Sequence, residues 1–157
     1  MTGQIALTFI ADAMLGSLAR WLRLLGYDTL YNPQASDAEL VRQARAEGRI
    51  LLTRDRPLAA RRGVKTLLIE SQVLDEQLRQ VIAACRLRPD PDRRRCAVCN
   101  GSLIQAAPSE VEGRVPPYVL KTQTHFRECA ACGRIYWPGT HWAGMQARLA
   151  QLLPGKG

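Results

Sequence analysis

The chain has 157 residues, 46% of them hydrophobic and 23% charged, a balance that excludes wholesale disorder. No run of about 18 apolar residues occurs, so no membrane span is expected. Twenty-two Lys and Arg against 14 Asp and Glu leave a net charge of +8, and this length allows one ordinary domain, or one compact domain of roughly 100 residues plus a small module.

Residues 8–11 form a short apolar run that ends on Asp12 and predicts a first strand. Met14, Leu15, Leu18, Leu22 and Leu25 then recur at helical spacing, with Gly26 as the stop. Residues 28–31 read as a second strand. Ser36 and Glu39 have the spacing of a capping box, which opens a helix through about Glu47 that Gly48 ends. Residues 50–53 predict a buried strand, and Pro57 opens a short helix over 57–62. Residues 64–69 predict a further strand. Leu74, Leu78, Val81, Ile82 and Cys85 mark an amphipathic helix over about 73–87, with Cys85 read as a small buried hydrophobe. Strands alternating with helices predict an open parallel sheet flanked by helices over residues 1–88. Residues 89–95, with two Pro, two Asp and three consecutive Arg, read as a linker. Residues 96–157 show little periodicity until a terminal helix over 141–153, for which Thr140 is the expected N-cap.

Four of the five cysteines fall in that last segment as two C-x-x-C pairs, Cys96 with Cys99 and Cys129 with Cys132. Each pair fits one tight turn, and two such turns close a tetrahedral Zn²⁺ site. Gly101 and Gly133 stand where such turns need positive φ. A module this small depends on the metal for folding free energy, so the zinc is read as structural. The rival readings are two disulfides, which need an oxidising compartment, or a redox pair. No basic-then-apolar leader with a cleavage site is evident, so a cytoplasmic protein is expected. With four thiols available, neither His125 nor His141 is needed as a ligand. His125 reads as a surface or RNA-facing residue, and His141 as support for the Trp137–Trp142 corner.

In an open α/β sheet, chemistry sits at the carboxyl ends of the strands. Asp12 follows the first predicted strand, Asp55 follows the third, and Asp37 lies in the first turn of a helix that overlooks the same edge. Three carboxylates converging there repel unless a hard cation such as Mg²⁺ or Mn²⁺ holds them. Each also has a structural reading, as an N-cap, a helix-dipole partner or a turn residue. Glu39 is either the capping-box partner or a ligand in place of Asp37. Nineteen of the 22 cations are Arg, which suits bidentate phosphate contacts or reflects coding bias. Arg20 and Arg23 on the first helix, and Arg54 and Arg56 beside Asp55, suit a phosphodiester substrate.

The string from Phe9 to Asp28, FIADAMLGSLARWLRLLGYD, resembles the opening of the Mut-seven C-terminal RNase family. Residues 48–55, GRILLTRD, resemble its second signature, and residues 129–142, CAACGRIYWPGTHW, its third. The likeness runs from about residue 8 to residue 150. It implies a PIN-like nuclease domain with an appended zinc ribbon, acting as a Mg²⁺- or Mn²⁺-dependent ribonuclease on RNA. Asp12, Asp37 and Asp55 fall where PIN-like enzymes place metal-binding acids, and Glu39, Glu70 and Asp75 are candidates for a fourth. Two other functions fit the same residues. One is a non-catalytic RNA- or ribosome-binding module that uses the ribbon, Arg93 to Arg95, and Trp137 or Trp142. The other is a PIN-type toxin.

Overall fold

Strands β1 (Phe9–Ala11), β2 (Thr29–Tyr31), β3 (Ile50–Thr53) and β4 (Thr66–Leu68) form a parallel sheet of order β2-β1-β3-β4 in the computed structural model. The described residues are 7–138 and 140–152, with the side chains of residue 91 and residues 140–143 outside the description. Phe9, Ile10 and Ala11 are all fully buried, as a parallel strand covered on both faces requires. Ile10 and Leu51 pack against Leu40, Val41, Ala44 and Leu58. These come from α2 (Asp37–Glu47) and α3 (Arg56–Ala59), so both helices cover that face. Strand alternation turns Phe9, Ala11 and Leu52 to the opposite face. Helices α1 (Gly16–Leu24) and α4 (Leu74–Cys85) pack together.

Several local predictions meet a different outcome. The first helix opens as a 3-10 turn over Ala13–Leu15, where Asp12 accepts the N–H of Ala13, and Met14 is 72% exposed rather than part of the apolar stripe. Cys85 is only half-buried, and burial still pushes its thiol pKa up. Residues 89–95 are stitched to the end of α1 rather than free. Asp90 N–H donates to Leu25 O at 3.0 Å, Arg95 N–H donates to Arg23 O at 2.9 Å, and Pro91–Arg93 form a 3-10 turn.

The chain divides into two compact units, residues 1–100 and 101–157, so the first cysteine pair belongs to the first unit. The second unit holds an antiparallel sheet of order β5-β6-β7, made of β5 (Leu103–Ala106), β6 (Phe126–Cys129) and β7 (Ile135–Tyr136). Short helices α5 (Pro108–Val111) and α6 (Pro117–Thr122) join β5 to β6. Val111, Val115, Val119 and Phe126 form its core, with Trp137 packed edge-on against Phe126 at 6.4 Å. Helix α7 (Thr140–Leu152) ends the described chain. It starts one residue earlier than predicted. The readings of a Thr140 side-chain cap, of His141 and Trp142, and of Leu153 lie outside the described residues.

Candidate active site

The strand order makes the gap between β1 and β3 a switch point. The chain leaves β1 toward β2 on one side and returns across β1 to β3 on the other. Ligands of open α/β sheets bind in the crevice outside the carboxyl ends at such a point. Asp12 leaves β1 there and Asp55 follows β3. The Thr53 hydroxyl joins them: it donates to Asp12 Oδ2 at 2.7 Å and accepts the N–H of Asp55 at 2.9 Å. Asp12 Oδ1 accepts the N–H of Ala13 at 2.7 Å, and Asp55 Oδ1 accepts the N–H of Leu58 at 3.2 Å as the cap of α3. These bonds set the orientation of both carboxylates, and the capping roles leave each with a lone pair for a further partner. Asp37 is the first residue of α2 and is exposed. It follows β2, the other neighbour of β1, so its helix starts on the same edge.

Tyr31 closes the β2 side of this edge. Its hydroxyl donates to Ala13 O at 2.7 Å, next to Asp12. A Cβ on residue 16 would lie 3.0 Å from that hydroxyl, which explains the glycine that opens α1. Neither Thr53 nor Tyr31 stands out in the sequence. A threonine closing an apolar strand and a tyrosine closing another are ordinary strand residues.

The other acids separate by their partners. Glu39 accepts the N–H of Ser36 at 2.8 Å while Ser36 Oγ accepts the N–H of Glu39 at 3.1 Å. These hydrogen bonds hold its pKa below the ordinary carboxylate value, and the capping-box reading stands. Glu70 follows β4 and is exposed. Asp75 lies in the first turn of α4.

Among the basic residues, Arg20 is exposed and Arg54 reaches Ile69 O at 3.4 Å at the end of β4. Arg23 corrects the sequence reading. It is 6% exposed, not on a solvated face. Its Nε donates to Thr29 O at 2.8 Å and its Nη1 to Ala97 O at 2.8 Å, so its fork is spent on carbonyls rather than on phosphate. Burial lowers its pKa. Asn100 works beside it, accepting the N–H of Thr29 at 3.0 Å and donating to Asp28 Oδ1 at 2.7 Å. Asp28 also takes Arg49 Nη1 at 2.9 Å. Burial would raise the Asp28 pKa, but hydrogen bonds from Arg49 and Asn100 outweigh it and hold the carboxyl below its ordinary value.

The two cysteine turns have the same backbone form. Asn100 N–H donates to Cys96 O at 2.8 Å, and Gly133 N–H donates to Cys129 O at 3.0 Å. Asn100 has φ 70° and Gly133 φ 79°. The left-handed residue of the first turn is therefore Asn100 rather than Gly101, since Asn tolerates this region almost as Gly does. Cys132 N–H also points at Cys129 Sγ, at 3.4 Å. The ligand atoms of Cys96, Cys99, Cys129 and Cys132 all lie within 4.8 Å of one another. Zn–S bonds near 2.3 Å in a tetrahedron put sulfurs about 3.8 Å apart, so the cluster fits a metal such as zinc. Among the described residues this is the group of three or more ligating side chains that closes to such distances; Asp12, Asp37 and Asp55 do not form one. No helix of the described residues is long and apolar enough to cross a membrane.

Fold and site together define a doubly wound α/β domain with a polar switch point, followed by a small unit with an antiparallel sheet. Residues 7–149 match the model of the Mut7-C RNAse domain, and the chain belongs to that family. No curated protein and no solved structure matches it. Membership assigns a ribonuclease-type function, with RNA as the implied substrate.

Proposed function

We propose that the chain is a divalent-metal-dependent ribonuclease that hydrolyses RNA phosphodiester bonds at Asp12, Asp37 and Asp55. The observation that carries this reading is the Thr53 hydroxyl tying Asp12 to the Asp55 backbone at the β1/β3 switch point of a chain of the RNase family. Each carboxylate oxygen bound there accepts one hydrogen bond and keeps a lone pair free, and hard oxygen donors suit Mg²⁺ or Mn²⁺. When bound, such an ion supplies Lewis-acid stabilisation of charge at the scissile phosphate. Asp12 and Asp55 hold their ligand oxygens in fixed directions through the bonds to Thr53, Ala13 and Leu58. Asp37 adds a third carboxylate from the neighbouring helix. Glu70 is the best-placed fourth acid by topology, since it leaves β4 beside β3, while Glu39 is committed to its cap. Arg20 and Arg54 are the cations offered to the substrate, and Arg23 is not among them. The four cysteines hold a structural zinc, a role that fits a reducing compartment such as the cytoplasm.

The test is RNA cleavage by purified protein with Mn²⁺ or Mg²⁺ and with neither. Asp12→Asn and Asp55→Asn should each lower the rate by at least about 10²-fold while the melting temperature holds. Full activity in either variant refutes the mechanism. Salt-sensitive RNA binding with no cleavage under any divalent ion would instead favour a non-catalytic RNA-binding protein.

A further inference from the structure

At the amino edge of the parallel sheet, opposite the acidic edge, lies a cavity of about 830 Å³ whose walls include Arg86, Arg88, Arg93 and Arg95. Asp28 and Asp90 also line it. Both acids are engaged, Asp28 with Arg49 and Asn100, and Asp90 with Arg93 at 3.5 Å. Arg95 is spent on Asn100, to which its Nε donates at 2.9 Å. Arg86 and Arg88 are exposed, and they add to the charge that Arg95 keeps beside its neutral amide partner. Such a volume is that of a nucleotide-sized ligand site.

A second observation concerns Arg86 alone. It terminates α4 in the left-handed region, at φ 52° and ψ 50°. Glycine is the usual residue there, because a Cβ is strained. The sequence accepts strain at this position and places a cation on the cavity wall. Backbone outliers of this kind point toward function.

We propose that this cavity grips the phosphate backbone of single-stranded RNA away from the cleavage centre, through Arg86 and Arg88. The inference rests on RNA being the substrate. The contact reads charge and not base, so it lengthens the footprint on RNA without selecting sequence.

The experiment measures fluorescence anisotropy of a labelled oligouridine bound to the full chain carrying Asp12→Asn, which should slow cleavage, across a series of salt concentrations. Adding Arg86→Gly and Arg88→Ser should weaken binding on the order of tenfold at moderate salt and reduce the slope of log K against log salt by about 1.4, two single-strand phosphate contacts. Arg86→Gly alone should hold or raise the melting temperature, because glycine relieves the left-handed strain. An unchanged affinity and slope overturns the proposal, and so does a lower melting temperature in Arg86→Gly, which would assign the arginine to the fold. Inorganic phosphate should compete no better than chloride at equal ionic strength. Displacement by millimolar phosphate would make the cavity a free-phosphate site and overturn it as well. Cleavage by the unmutated protein is scored separately. If it fails, the ribonuclease reading falls, and the slope comparison still decides the cavity.

Discussion

A threonine hydroxyl has one proton to give and two lone pairs to accept with, and Thr53 uses one of each on the two halves of the candidate site. Thr53→Val keeps the shape but takes away both bonds. The Asp55 N–H then loses its acceptor, at a cost of about 1–2 kcal/mol, and Asp12 loses the donor that fixes Oδ2. Partners that orient ligand carboxylates are worth about 10–100-fold in activity, so cleavage by Thr53→Val should fall in that range. Thr53→Ser, which keeps the hydroxyl, should restore most of it. A Val variant with full activity and a Ser variant with none would sink the assignment. The same residue marks a limit of sequence reading. Asp12 and Asp55 were legible because strand-then-Asp is a pattern along the chain. The Thr53–Asp12 bond that links them crosses 41 positions and leaves no such trace.

Helix α1 carries two arginines, at positions 20 and 23, with opposite fates. Helical spacing puts Arg23 at the border of the stripe made by Leu15, Leu18, Ala19 and Leu22, all fully buried. Spacing alone leaves its side undecided. What takes up its Nη1 is the carbonyl of Ala97, 74 residues away, and the sequence shows no link between the two. Arg23→Ala strips the donors from Thr29 O and Ala97 O and should cost about 2–4 kcal/mol of stability. Arg23→Lys should recover little of this, since an ammonium lacks the fork that spans both carbonyls. Arg20→Ala should change stability by less than about 0.5 kcal/mol, as expected at an exposed site, and lower RNA cleavage. Thermal melts of the three variants separate the two roles. The elements of residues 9–85 were legible because apolar periodicity drives them. β5, β6, β7, α5 and α6 were not, because that small core draws on scattered residues such as Val111, Val119 and Phe126.

At the scale of the whole molecule, the same first cysteine turn enters two linkages, one to protons and one to metal. Asp28 holds Asn100 and Arg49 as a carboxylate whose folded pKa lies below its ordinary value. Its contribution is therefore full above about pH 4 and is lost as pH falls through the folded value. Asp28→Asn should flatten the acid limb of a melting-temperature profile and leave the neutral region less affected. The metal linkage is the one the four cysteines would set. The second unit's core of Val111, Val115, Val119 and Phe126 is small beside the chain entropy of residues 101–157. A metal held by the four-sulfur cluster would supply what the core lacks, because metal binding to a site absent from the unfolded chain is folding free energy. Metal analysis of protein purified without chelator should find about one zinc per chain. Removal by a chelator should unfold residues 101–157, read as lost amide protection there, while the buried strands of the parallel sheet keep theirs. Cys129→Ser should reproduce this loss in the presence of zinc. Protection that survives both treatments would mean that residues 101–157 fold without the metal, and the structural role of the cysteines would fall.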